Sequence, residues 1–135
     1  RMTFEDRMNL TATSGINRAE HTAVMIIQGD QDDFVGFDGP CIYANRDKIT
    51  RDDVQFVLLE GREHGNLMMD HSEERLAYME QLNQEYNLIL EEYANEVPDE
   101  IAKEWNDTID KELTSRLDEE LFEKILDFYM EAIGE

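Results

Sequence analysis

Only one cysteine, Cys41, stands among the 135 residues. That excludes a disulfide framework or a Cys-based zinc site within one chain, and a reducing, cytoplasmic setting is expected. Cations are scarce as well: 12 Lys and Arg face 33 Asp and Glu, net −21. A chain this acidic lacks the basic footprint that phosphate binding needs, so neither nucleic acid nor an anionic membrane is an expected partner. The imbalance deepens along the chain. From Ser72 onward there are 20 acidic and 5 basic residues, net −15, against −6 before it, and solvated helix faces account for most of it. No apolar run approaches the ~20 residues of a membrane helix, and no signal peptide is read at the start. Internal repeats and low-complexity tracts are missing too. The length suits one domain with a real core. Because the chain begins Arg1-Met2, a fragment, a processed chain or an added scar is expected.

What is present centres on residues 22–66. The apolar run Ala23-Val24-Met25-Ile26-Ile27 stops at Gln28-Gly29-Asp30-Gln31-Asp32-Asp33. A second run, Val54-Gln55-Phe56-Val57-Leu58-Leu59, stops at Glu60-Gly61-Arg62-Glu63-His64-Gly65-Asn66. Such runs suit strands buried on both faces of a parallel sheet. Gly39 to Lys48 is long enough for a crossover helix opened by Pro40, with Ile42, Tyr43 and Ile49 on its apolar side. Both strands then end at one sheet edge, where open α/β sheets bind ligands. Before them, Phe4, Met8 and Leu10 suggest a short helix and Thr11 to Gly15 a turn.

From Asp70 the pattern is helical. Asp70 is the expected N-cap and Glu73 its capping-box partner. Leu76, Met79, Leu82, Tyr86, Ile89, Leu90 and Tyr93 recur at three- and four-residue steps through Asn95. Pro98 opens a second helix with Ile101, Trp105, Ile109 and Leu113 on one face. Asp118 caps a third, with Leu121, Ile125, Phe128 and Tyr129 inward and Gly134 at its end. These aromatic stripes read as core.

Asp32 and His64 are the candidate catalytic pair. A carboxylate that accepts from one imidazole nitrogen fixes the tautomer and leaves the other nitrogen free to act as general base near neutral pH. Asp30 is an alternative acid. An EF-hand started at Asp30 fails, since its fifth, sixth and twelfth positions are Phe34, Val35 and Cys41. His21, His64 and His71 lie on different segments without zinc-ligand spacing. Cys41 reads as packing, His71 as a helix-start residue, and Arg62 with Glu63 as a solvated loop pair.

The order strand, Gly29-x-x-Asp32-x-x-Val35, crossover, strand, His64-Gly65, closing helix resembles the C-terminal part of the α/β-hydrolase family. The resemblance implies the last strands and helices of a parallel α/β sheet, with Asp32 as triad acid, His64 as triad base and Gly29 permitting a tight turn. It also implies a serine nucleophile on an earlier strand. No Gly-x-Ser-x-Gly occurs here, and Ser14, Ser72 and Ser115 are the three serines, so the nucleophile is expected upstream of Arg1. On this reading residues 1–71 are the last β-α-β portion, 72–116 a helical insertion (a lid or a lateral packing element) and 117–135 the closing helix. The substrate class is an acyl compound, a carboxylic ester before an amide, and no cofactor or metal is implied. Two strands do not make a stable sheet alone, so the rest of a hydrolase core, or another copy through the strand edges, is an expected partner. The competing expectation is a non-catalytic α/β-helical interaction module or a degenerate hydrolase relative.

Overall fold

The two apolar runs pair as parallel strands, β1 (Val24–Gly29) and β2 (Val54–Leu59), in a register running from Val24 opposite Val54 to Gly29 opposite Leu59. The computed structural model describes residues 11–36 and 41–134, a mixed α/β chain with this one two-stranded sheet among the described residues. The remaining elements are helices α1 (Ala12–Arg18), α2 (Glu73–Glu92), α3 (Asp99–Thr108), α4 (Lys111–Thr114) and α5 (Glu119–Ile133). The chain divides into two compact units, Arg1–Leu67 with Asp127–Glu135, and Met68–Leu126. No described helix is long and apolar enough to cross a membrane.

In the first unit the strands are not buried on both faces, contrary to the sequence reading. Gln55 and Leu58 of β2 are exposed, and among the described residues neither outer edge carries a third strand. The expected turn at Thr11 to Gly15 is instead the start of α1. Thr11 and Ser14 bond reciprocally, side chain to backbone amide, in a capping box that a Ser/Thr-rich stretch hides from a turn-based reading. Phe4, Met8 and Leu10 lie outside the described residues, as do Gly39 and Pro40. The expected crossover helix does not continue through the described part of that connection. From Cys41 it runs as turns and ends in one 3₁₀ turn, Arg46–Lys48. The Asn45 side-chain amide takes the Cys41 carbonyl at 2.9 Å, the acceptor that an α-helix would offer to the Asn45 backbone amide.

Two polar side chains tie α1 to this connection. Asn17 donates to the Lys48 carbonyl and accepts from Thr50 N, while Arg51 caps the carbonyls of Ile16, Ala19 and Thr22 and pairs with Asp53.

The second unit is a loop of helices closed at its base. Met69 bridges Leu117 in antiparallel fashion, Asp70 N donates to the Arg116 carbonyl, and Asp118 N donates to the Met68 carbonyl. Buried Arg75 clamps both sides of this stem, donating to the carbonyls of Asp70 and Thr114. Ser72, not Asp70, is the N-cap of α2: its hydroxyl accepts from Arg75 N. Asp70 sits two residues further out and accepts from the Ser72 hydroxyl and amide, which holds its carboxyl below the ordinary range. Asp118 does cap α5, accepting from Leu121 N. Of the long apolar stripe on α2 only Leu82 is buried, because α3 and α4, 10 and 4 residues long, cannot cover a 20-residue helix. On α5 Leu121 is 1% exposed, but Tyr129, expected inward, is 61% exposed.

The end of α2 comes before Asn95. Ala94 N donates to the Glu91 carbonyl and Asn95 N to the Leu90 carbonyl, a Schellman closure that puts Ala94 at φ 50. That left-handed conformation costs an L-residue ~1–2 kcal/mol and glycine nothing, while glycine adds ~0.4–1 kcal/mol of freedom to the unfolded chain. The first outweighs the second. Ala94→Gly is expected to raise stability by ~0.5 kcal/mol or more, read as a higher urea midpoint of Trp105 fluorescence; a lower midpoint would contradict the cap.

Candidate functional site

The parallel register places the ends of β1 and β2 side by side, and both loops leave from the same edge. Asp30 N donates to the Leu59 carbonyl and Gln31 N to the Arg62 carbonyl, so the two exits are stitched together at once. The closest approach is at Gly29, where a Cβ would fall 2.2 Å from the Arg62 carbonyl oxygen. Gly29 has no positive φ, so its role is this contact rather than the tight turn the sequence suggested. Gly61, at φ 70, makes the turn on the other side, and its amide donates to Asp30 Oδ1 at 2.7 Å. That bond occupies Asp30.

Asp32 lies three residues past β1 and is 6% exposed. Its Oδ1 accepts from the backbone amides of Phe34 (3.1 Å) and Val35 (2.9 Å), an Asx-type turn built by its own loop. Its Oδ2 accepts from Gln28 Nε2 at 3.2 Å and meets His64 Nδ1 at 3.0 Å. Four donors fill the four lone-pair positions of a carboxylate. The Val35 amide chiefly, then the His64 ring and Gln28, holds its carboxyl below the ordinary 3.8 against the opposing effect of burial. An ionised carboxylate only accepts, so His64 Nδ1 donates, and in the neutral ring it is Nε2 that keeps the lone pair.

His64 opens a 3₁₀ turn, His64–Asn66, that is fixed by a reciprocal box: the Glu63 side chain accepts from Asn66 N, and Asn66 Oδ1 accepts from Glu63 N at 2.8 Å. The imidazole side chain is 54% exposed. Among the described residues Nε2 meets no hydrogen-bond partner. Phe34 lies across the ring with centroids 4.9 Å apart, and is itself 85% exposed. Together with Gln31, Asp33, Glu63 and Gly65 they line an open pocket of about 260 Å³. A buried oriented acid, a half-exposed base and an adjoining pocket are the parts a proton-transfer site requires.

The other singled-out residues lie elsewhere. His21 is exposed in a turn, and His71 Nδ1 contacts the Met69 carbonyl in the second unit. Cys41 is buried, with its sulfur accepting from Ala44 N. The oxygens of Ser14, Ser72 and Ser115 bond to Thr11, Asp70 and Lys111, within their own helix starts or ends. Arg62 corrects the sequence reading. It is 8% exposed, not a solvated partner of Glu63, and donates to the Leu67 carbonyl. Gln28, Phe34 and Asn66 were missed. A polar residue closing an apolar run was the available signal for Gln28, and the Glu63-x-x-Asn66 spacing that for the box. Among the described residues no three His, Cys, Asp or Glu side chains converge as a metal site.

Gly29→Ala forces the Arg62 carbonyl away and is expected to cost ~3 kcal/mol or more, as overpacking against backbone does. Urea denaturation followed through strand amide signals would detect it, and an unchanged midpoint would contradict the contact. Asp32 gives a pH prediction. Its carboxyl is lowered in the folded state, so its stabilisation is complete above the ordinary 3.8 and is lost as pH falls through the lowered folded value. Asp32→Asn should flatten this acid limb of the stability curve, and an identical acid limb in both proteins would refute the assignment.

Comparison with protein-family models, curated proteins and solved structures finds no match to this chain, so its functional reading rests on the geometry of the pair.

Proposed function

We propose that Asp32 and His64 are the acid and base of an acyl-hydrolase triad of the α/β-hydrolase kind, with a serine supplied from outside these 135 residues. One observation carries the reading: a saturated, buried carboxylate 3.0 Å from the Nδ1 of a half-exposed imidazole, the two held on adjacent parallel strand ends. In the ground state Asp32 orients the ring and sets its tautomer. Nε2 takes the proton of the attacking hydroxyl, and the imidazolium so formed faces a carboxylate that stabilises it. Nε2 then returns the proton to the departing alkoxide or amine, which leaves the acyl group on the serine. A water, deprotonated by the same Nε2, attacks that ester, and return of the proton to the serine oxygen frees the acid. The three serines in hand each bond within their own helix start or end, and for that reason the nucleophile is assigned elsewhere. Carboxylic esters are the first substrate class, amides the second.

A second reading has its own observation. Phe34 is 85% exposed beside the imidazole, as a residue held for contact with another protein would be. On that reading the pair shapes a binding loop and no bond is cleaved.

Kinetics separate the two. The product of the native gene, assayed on short-chain aryl esters, is expected to lose ~10³-fold or more in kcat on His64→Ala and on Asp32→Asn, with KM little changed. Rates that survive both substitutions, or no hydrolysis at all by the native product, would overturn the hydrolase reading.

A further inference from the structure

The second unit contains an open pocket whose lining includes neither Asp32 nor His64. It lies between α2, α3 and α4, with a volume of about 410 Å³, inside the ~300–1,000 Å³ range of small-molecule sites. Its walls are Leu82, Tyr86, Trp105 and Ile109, and the Tyr86 and Trp105 rings lie 4.8 Å apart at 30°. Asn83 and Lys111 add polar groups. The charge around it is inverted. Residues from Ser72 onward hold 20 acids and 5 bases, yet the lining includes Lys111 and no Asp or Glu. Lys111 forms no ion pair with any other described residue, and neighbouring Asp110 is engaged in capping Leu113 N. Among the described residues the buried indole N–H of Trp105 meets no acceptor.

We infer that this cavity binds a small amphipathic monocarboxylate, its apolar body between Leu82, Tyr86, Trp105 and Ile109 and its carboxylate on Lys111. The lining is apolar enough to take an alkyl or aryl body, and the one ionic group in it selects a single negative charge. At ~30 Å³ per non-hydrogen atom, the share of a water in the liquid, the volume holds about fourteen, room for the twelve of a ten-carbon acid. In a chain of net −21, a cation in a carboxylate-free pocket also lowers the repulsion that an anion meets elsewhere on the surface. The inference is independent of the hydrolase reading, since neither Asp32 nor His64 takes part.

Trp105 is the single tryptophan, so its emission reports this cavity alone. Titration of the full chain with decanoate, kept below its micellar range, is expected to give a saturable change in Trp105 emission at one site per chain. Lys111→Met should weaken decanoate ~10-fold or more, the loss of a charge-assisted contact, and leave 1-decanol within about twofold. Lys111 is exposed, so the variant is expected to fold, and Lys111→Arg should retain most of the affinity. Absence of saturable binding, or equal decanoate affinity with and without Lys111, would overturn the site.

Discussion

The backbone of Gly29 lies so close to the Arg62 carbonyl that no side chain fits between them, and both functional loops start from that contact. Parallel pairing of β1 with β2 brings the strand ends level, but pairing alone leaves their loops free to diverge. The Gly29 approach, the Gln31–Arg62 backbone bond and the Asp30–Gly61 bond remove that freedom within three residues of the strand ends. Asp32 follows directly, with its orientation imposed by its own Asx-type turn. His64 follows through the Glu63–Asn66 box.

The electrostatics of the pair rest on the same economy of parts. Two backbone amides and one side-chain amide meet the carboxylate beside the imidazole, so the Asp32 carboxyl is held low chiefly by the Val35 amide of its own turn, with His64 and Gln28 adding to it. His64 in turn needs Asp32 for its tautomer. A carboxylate fixed by its own turn and an imidazole oriented by that carboxylate suit a site in which one nitrogen is held and the other is open. Most of the acidic side chains from Ser72 onward sit on exposed helix faces.

Much of this was legible in the residues. Continuous apolar runs ending in Gly and Asp marked the two strands, and their common edge followed from a connection too long for a hairpin. Asp32 over Asp30 followed from the spacing after Gly29. What escaped the sequence reading was local side-chain competition. Asn45 takes the carbonyl that a crossover helix would have used. Ser72 rather than Asp70 caps α2, two adjacent residue types with nearly equal capping preference. Thr11 and Ser14 build a helix start out of residues that equally build a turn. Burial was the weakest inference. Arg62 is buried where a charged loop residue was expected in water, and Tyr129 exposed where periodicity put it inside, because periodicity marks a face and not what covers it.

The chemistry of the Asp32–His64 pair turns on the state of one ring. Nitrogen-15 chemical shifts of His64, recorded with the ring neutral and assigned by comparison with His64→Ala, report which nitrogen bears the proton. A protonated Nδ1 and a bare Nε2, reverting toward the ordinary Nε2–H form in Asp32→Asn, is the predicted result. An Nε2–H tautomer in the unsubstituted protein would contradict it, for the ring could then neither be held by Asp32 nor accept a proton at the nitrogen facing the pocket.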